Sequence, residues 1–365
     1  MFKELNHCRL CARNCDAMRN DKRAGRCGMT DDVMAARAAL HMWEEPCISG
    51  KEGSGAVFFS GCPLGCVFCQ NRDIALGRKG KIITVERLAR ILLELQDKGA
   101  NNINLVTPTH YVPQIVEAVR IARLGDFPEM RVPGAEEGLD RAENASDTAE
   151  SLSQAESALN TAESSSQAES ALSAAEDLGT ERNVTAQKEM RLRIPVVYNT
   201  GSYENPETIR MMKGTVDIFL PDLKYYDPAV SNRYSMAPDY FKTASVAIAE
   251  MVLLSGRPVF DSRGMMTRGT IVRHMILPGH TEDSKKILRY LHDTYGNDIY
   301  ISIMNQYTPM PGIGEQYPEL ARRLTKREYE KVVDYALSIG IENAYIQEGG
   351  TAKESFIPPF GMEGL

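Results

Sequence analysis

Short apolar runs alternate with amphipathic stretches along most of the 365-residue chain. The runs "AVFFS" (56–60), "NINLV" (102–106), "IPVVYN" (194–199), "VDIFL" (216–220), "TIVRHMIL" (270–277) and "IYISIM" (299–304) have the length and β-branched content of buried strands. Between them, "VERLARILLELQDKG" carries apolar residues at helical spacing from Val85 and stops at Gly99, a residue suited to the turn that ends a helix. Helices are also expected over Val112 to Leu124, Glu207 to Met212 and Asp283 to Tyr295, and from an N-capping Thr325 to Gly340. "AYIQ" (344–347) adds one more short strand.

Strands that alternate with helices imply a parallel sheet with right-handed crossovers. Six such units define an α/β chain with a partial (β/α)6 barrel, whose chemistry would sit at the C-terminal ends of the strands. Polar segments do follow those strands: a cysteine loop, then "TPTHY", "NTGSY", "PDLKYYD", "PGH" and "NQYTP" in order. The expected organisation is a small cysteine-rich metal-binding module over residues 1–50 and a barrel over 51–365, interrupted by an insert at 125–190.

Composition changes the picture at that insert. From Gly134 to Leu178 eleven acidic residues stand against Arg141 alone, a contribution of −10 to a net charge of −7, so the rest of the chain sums to +3. A near-neutral body gives no case for nucleic acid or for an acidic substrate. The triplet Ala-Glu-Ser recurs from Ala149, Ala155, Ala162 and Ala168, with few large apolar residues between. Such a stretch buries too little surface to offset the entropy of ordering, so the low-complexity insert is expected to be disordered.

No run of about 18 apolar residues is present, so no membrane span is expected. The first residues lack the apolar core of a secretion signal, which points to the cytoplasm, where thiols stay reduced. Eight cysteines there argue for metal or catalytic use. Cys47, standing alone, reads as a packed thiol.

The remaining seven form two groups. In "GCPLGCVFCQN", Cys62, Cys66 and Cys69 are spaced C-x3-C-x2-C. A structural zinc site closes itself with four ligands, so a trio leaves one metal position open, as a reactive site requires. Soft thiolates favour iron–sulfur clusters, and three of them can hold three irons of a 4Fe–4S cluster. Near the N-terminus, Cys8, Cys11, Cys15 and Cys27 are spaced C-x2-C-x3-C-x11-C in a module too short for its own core. Zinc closed by four sulfurs and an auxiliary iron–sulfur cluster both fit that set.

"GCPLGCVFCQN" resembles the radical SAM superfamily signature C-x3-C-x-aromatic-C, with Phe68 at the aromatic place. "GSGAVFFSGC", "DLK" (222–224) and "VRHMILPG" (272–279) resemble the pyruvate formate-lyase activating enzymes. "EEPCISG", "YNTGSYE" and "SIMNQYTP" are closer to a less characterised, activase-like iron–sulfur relative. The resemblance implies a 4Fe–4S cluster on Cys62, Cys66 and Cys69 and S-adenosylmethionine on its open iron. Reductive cleavage would then give a 5′-deoxyadenosyl radical that abstracts hydrogen from substrate.

By the same resemblance, Phe68 lies against the adenine and Lys224 meets the S-adenosylmethionine carboxylate. Asn199 and Thr200 stand, with Asp222, where the activases hold a monovalent cation, although Asn in place of Asp removes a charge. Arg273 and His274 alternate on one strand, and Arg273 is the one expected to face the lumen. The superfamily's Gly-Gly-Glu-type turn is replaced by "TPTHY", which leaves Thr107 and Thr109 to serve the methionine amino group. His110 is then a candidate for substrate contact or proton transfer, and Gln306, with Tyr307 and Glu348, is a further candidate.

A glycyl radical enzyme or another protein substrate is the implied partner, and reduced flavodoxin or ferredoxin the implied electron donor. A radical SAM enzyme acting on a small molecule or peptide, and a non-catalytic electron-transfer or regulatory protein, are the other readings.

Overall fold

The computed structural model describes residues 1–127, 191–347 and 360–365. The expected insert (125–190) falls almost wholly outside the described residues, as does Glu348. The chain divides into two units, Met1–Arg120 with Ile194–Leu365, and Ile121–Arg193. Little of the second unit is described; in it the Leu192 amide donates to the Ala122 carbonyl at 2.9 Å.

The first unit is built on a ten-stranded sheet. In chain order the strands are β1 (Val33–His41), β2 (Ser54–Phe59), β3 (Lys81–Ile83), β4 (Ile103–Val106), β5 (Val196–Thr200) and β6 (Ile218–Pro221), followed by β7 (Val259–Phe260), β8 (Met266–Met275), β9 (Tyr300–Met304) and β10 (Ala344–Ile346). They lie side by side as β10-β9-β8-β6-β5-β4-β2-β1-β3, with β7 on β8. The seven from β2 to β10 along that path are parallel, and at the other edge β1 pairs antiparallel with both β2 and β3. The result is an α/β fold with a mostly parallel, unclosed, barrel-like sheet and a cysteine-rich N-terminus.

Every residue of β2, β4, β5 and β6 is buried, as expected of parallel strands covered on both faces. Helices follow them: α1 (Pro46–Ser49), α2 (Arg72–Ala75), α3 (Val85–Asp97), α4 (Val112–Leu124), α5 (Pro206–Arg210), α6 (Pro228–Ser235), α7 (Tyr240–Ser255), α8 (Thr281–Tyr295) and α9 (Lys326–Ser338). The Thr84 hydroxyl accepts from the Arg87 amide to start α3, and Gly99 follows its end with φ 85°. Thr325 and Glu328 close a capping box on α9.

Three elements depart from the sequence pattern. β1 reads "VMAARAALH", rich in helix-forming alanine, yet it is a strand because small side chains let it pack closely against β2. α7 shows no clear apolar stripe, since Val246 and Leu253 are exposed while Ile248 and Met251 are buried. α6 is short and polar, and Asp227 caps it by accepting from the Ala229 amide.

The boundary expected near residue 50 falls inside the first unit. β1 belongs to the sheet, and Arg13 donates to the carbonyls of Pro63 (2.9 Å), Leu64 (3.3 Å), Ser235 (2.8 Å) and Met236 (2.6 Å). The N-terminal residues are thereby fastened to the rim of the sheet.

Candidate functional site

A cavity of about 250 Å³ lies at the C-terminal ends of the parallel strands. The loop after β2 contributes Cys62, Leu64, Cys66, Phe68 and Cys69. β4 brings Val106 and Thr107, and β5 brings Asn199 and Thr200. Asp222 and Lys224 enter beyond β6, Arg273 and Met275 from β8, and Gln306 beyond β9. Register explains the convergence: Phe58, Val106 and Asn199 are side by side on neighbouring parallel strands, so their side chains share a face.

Two left-handed turns shape the cysteine loop. Gly61 has φ +87°, and a Cβ there would meet Met29 and come within 2.9 Å of the Cys27 carbonyl. Gly65, at φ +64°, has open space around it. The Ser235 hydroxyl reaches the Cys66 Sγ at 3.1 Å. Burial, with the neighbouring thiols adding to it, pushes Cys62 up and Cys69 up to about 12. Thiols so held do not ionise without a strong positive charge nearby, which a metal centre supplies.

The trio fits a 4Fe–4S cluster on its donor chemistry. Three sulfurs line one cavity, and the Lys224 charge acts on all of them. Among the described residues, no three His, Cys, Asp or Glu side chains gather around a single-ion position.

One cavity wall is a buried charge network. Arg273 donates from Nε to Asp222 Oδ1 at 2.8 Å, from one terminal nitrogen to Glu44 Oε2 at 3.1 Å, and from the other to Asn199 Oδ1 at 2.6 Å. Lys224 Nζ donates to Asp222 Oδ2 at 2.6 Å. Asn104 and Asn199 donate to the other Glu44 oxygen at 3.0 and 3.4 Å. Burial pushes Asp222 up, but the Arg273 and Lys224 charges outweigh it and hold the carboxyl below its usual range. For Lys224 burial opposes the charge, and Asp222 and Cys66 outweigh it, so its pKa is raised. Glu44 is raised, burial prevailing over Arg273.

Arg273 thus bridges Asn199 and Asp222, the place where the resemblance implies a monovalent cation and the asparagine puts that ion in doubt. The guanidinium puts a fixed positive charge between those side chains. His274 turns the other way, bonding the Leu223 carbonyl at 2.7 Å and Ser284 Oγ at 2.8 Å.

The structure does not bring every candidate to the cavity. His110 is buried outside its lining, with Nε2 2.7 Å from the Ser60 carbonyl and its ring against Tyr111. Burial and then the Arg19 charge push His110 down to about 3, so it is neutral near pH 7 and poorly suited to proton transfer. Its contact with Ser60 makes it a support for the cysteine loop. Thr109 also lies off the lining; it donates to Glu204 Oε1 at 2.6 Å, and Thr200 donates to the same oxygen. Burial pushes Glu204 up to about 7 despite these donors.

Thr107 does line the cavity and has φ +58°, a conformation costly for a β-branched residue and found where function over-determines the backbone. Phe68 borders the cavity and sits edge-on to Tyr225, Tyr234 and Tyr307, with ring centroids 6.2–6.3 Å apart. Gln306 lines the cavity, while the Tyr307 hydroxyl is committed to the Leu320 carbonyl at 2.6 Å.

Sequence reasoning missed His41, Trp43 and Glu44, which reach the cavity from the end of β1 and the loop after it. The glutamate pair of "EEPCISG", just before a proline that opens α1, was the available signal. Cys47 is a buried thiol, as expected, and Cys8, Cys11, Cys15 and Cys27 form a separate group outside the cavity lining.

Residues 56–152 match the family model for the radical SAM superfamily, a span that includes most of β2, the cysteine loop and β4. An uncharacterized protein of Methanocaldococcus jannaschii is 23% identical over 351 residues, which cover 93% of this chain and 77% of that protein. Among solved structures, SuiB of Streptococcus suis bound to S-adenosylmethionine aligns with a TM-score of 0.41 and 12% identity over 80% of this chain. The chain spans 50% of that structure's length.

Proposed function

We propose that this chain is a radical SAM enzyme, with Cys62, Cys66 and Cys69 as the three protein ligands of a 4Fe–4S cluster. The observation that carries the reading is three thiols, one buried and two half-buried, with no fourth cysteine among the lining residues, on a cavity that a fixed lysine also faces. The family match over the same loop supports it. When bound, such a cluster supplies the electron that splits S-adenosylmethionine into methionine and a 5′-deoxyadenosyl radical, which takes a hydrogen atom from substrate.

The chain's own residues bind and orient. Lys224, held by Asp222 at 2.6 Å, offers an ammonium to a carboxylate beside the thiolates. Arg273 lines the cavity and donates once from each of its three nitrogens, so it positions Asp222, Asn199 and Glu44. The left-handed Thr107 turn lines the cavity, and its backbone and hydroxyl are the groups we assign to an amino group of the ligand. Phe68 and Val106 give the cavity an apolar side that excludes water from a reactive species.

The finer reading is activation of a glycyl radical enzyme, fed by reduced flavodoxin or ferredoxin. It rests on the likeness of "DLK" and "VRHMILPG" to the activating enzymes, and the half-exposed Trp43 on the cavity lining offers a surface for a protein substrate. Among the described residues no helix is long and apolar enough to cross a membrane.

The test is anaerobic reconstitution followed by incubation with S-adenosylmethionine and dithionite. Wild type should release 5′-deoxyadenosine, Cys62→Ala should release none, and Lys224→Ala should need more S-adenosylmethionine for half-maximal release. A fully iron-loaded wild type that forms no 5′-deoxyadenosine would reject the enzyme reading. For the finer one, a glycine-centred EPR doublet should arise on a co-incubated glycyl radical enzyme; turnover of a small molecule with no such signal would replace it.

A further inference from the structure

We propose that Cys8, Cys11, Cys15 and Cys27 hold a second iron–sulfur cluster, of the 4Fe–4S class with every iron capped by protein, beside the cavity's cysteine loop.

The four thiols belong to one group. Cys11 feels Cys27, Cys8 and Cys15, and a Cβ added at Gly25 would lie 3.4 Å from Cys15 Sγ and 3.5 Å from Cys27 Sγ. They are free, and three of them are buried. Asn14 and Asp16, on either side of Cys15, hold positive φ of 43° and 54°, so the chain is turned sharply to present that sulfur.

The second observation is Arg19, which is fully buried and has no ion pair with a carboxylate among the described residues. Its guanidinium meets the carbonyls of Met29, Thr30 and His110, and Cys8 Sγ at 3.7 Å. A buried cation without a counter-charge is costly. Metal-bound thiolates provide that charge, because a tetrathiolate around a 4Fe–4S core is anionic. The surrounding apolar cluster of Leu5, Cys8 and Leu10 is small, so a covalent staple is what would order this segment.

A cluster fits better than zinc. Zinc draws four sulfurs to about 2.3 Å of one ion. Here no three thiols gather around a single-ion position. Three close cysteines and a distant fourth also match a ferredoxin-like set.

The group touches the cavity loop. Gly61, next to Cys62, packs against the Cys27 carbonyl, and Arg13, between Cys11 and Cys15, clamps the Pro63 and Leu64 carbonyls.

The test uses the full chain, reconstituted anaerobically with ferrous iron and sulfide. A Cys62→Ser, Cys66→Ser, Cys69→Ser triple variant should keep about four irons and four sulfides, against about eight of each in wild type. The complementary Cys8→Ser, Cys11→Ser, Cys15→Ser, Cys27→Ser variant should also fall to about four, which separates this site from the cavity's own cluster. Dithionite-reduced wild type should show an EPR spectrum broadened by two neighbouring spins, and each variant a simple one. One zinc without sulfide in the triple variant, or about four irons in both wild type and the N-terminal variant, would overturn the proposal.

Discussion

Replacing Arg273 with methionine tests the charge network that shapes the cavity wall. The substitution keeps most of the side-chain volume and removes the cation. Three charge-assisted hydrogen bonds disappear, at 2.8, 3.1 and 2.6 Å; at about 1.5–3 kcal/mol each their gross worth is roughly 5–9 kcal/mol. The net loss is smaller, because the partners are not left equally bare. Asp222 keeps Lys224 at 2.6 Å, whereas Glu44 keeps only the two neutral amides of Asn104 and Asn199. The cost is therefore that of one buried, uncompensated carboxylate, about 3–5 kcal/mol near pH 8.

The sign of the pH dependence follows. Burial already pushes Glu44 above the usual carboxylate range, and Arg273 is the largest influence opposing it. Without the guanidinium its native pKa climbs further, so the native variant binds a proton that the unfolded chain has released. Stability then falls as pH rises from the unfolded carboxylate pKa toward the raised native one, by up to about 1.4 kcal/mol per pH unit. Urea unfolding of the reduced, metal-free chain, followed by circular dichroism at pH 5.5 and pH 8, should show the larger deficit at pH 8. Adding Glu44→Gln should restore more than half of it. A loss under about 1 kcal/mol at pH 8, or no rescue by Glu44→Gln, would refute the reasoning.

Two further substitutions probe the supports of the site. Glu204, pushed by burial from 4.5 up to about 7, holds stability that is complete below pH 4.5 and is lost as pH rises through 7. Glu204→Gln removes that dependence, so its stability relative to wild type should improve by about 3 kcal/mol between pH 4.5 and 8, and a difference that stays flat with pH would contradict the assignment. Gly61→Ala puts a Cβ against Met29 and the Cys27 carbonyl at φ +87°, so it should lower the thermal midpoint and the iron content together. Gly65→Ala, with open space at φ +64°, should cost only about 1–2 kcal/mol of backbone strain and retain its iron; equal losses in both variants would show that packing at Gly61 is not what holds the loop.

What the sequence revealed and what it hid have separable physical causes. The parallel strands were legible because burial on both faces forces a continuous apolar run, as in "AVFFS" and "VDIFL". The cavity residues at strand ends were legible because alternation along a strand determines which side chains share a face, so Asp222 and Lys224 emerge together. β1 was hidden because its alanines carry a helix preference that pairing with β2 overrides. Glu44 was hidden with it, since a loop residue after an unrecognised strand has no register to place it. His110 misled for the opposite reason: its neighbours Pro108 and Thr109 lie at a strand end, but the chain turns into a short helix there and buries the imidazole beneath Ser60.

Arg273 joins these cases. Its side was readable from the alternation with His274, but its role was not, because that role depends on partners 229 and 74 residues away. The one local trace was Asn199, an uncharged side chain at a place where the resemblance to the activases implies a carboxylate. Read with the structure, that substitution makes sense only together with the arginine. A carboxylate at 199 would crowd Asp222 and Glu44 and call for an additional cation, whereas an amide can accept from the guanidinium with its oxygen and donate to Glu44 with its nitrogen. The network is thus coupled: no single member can change its charge without a compensating change in another.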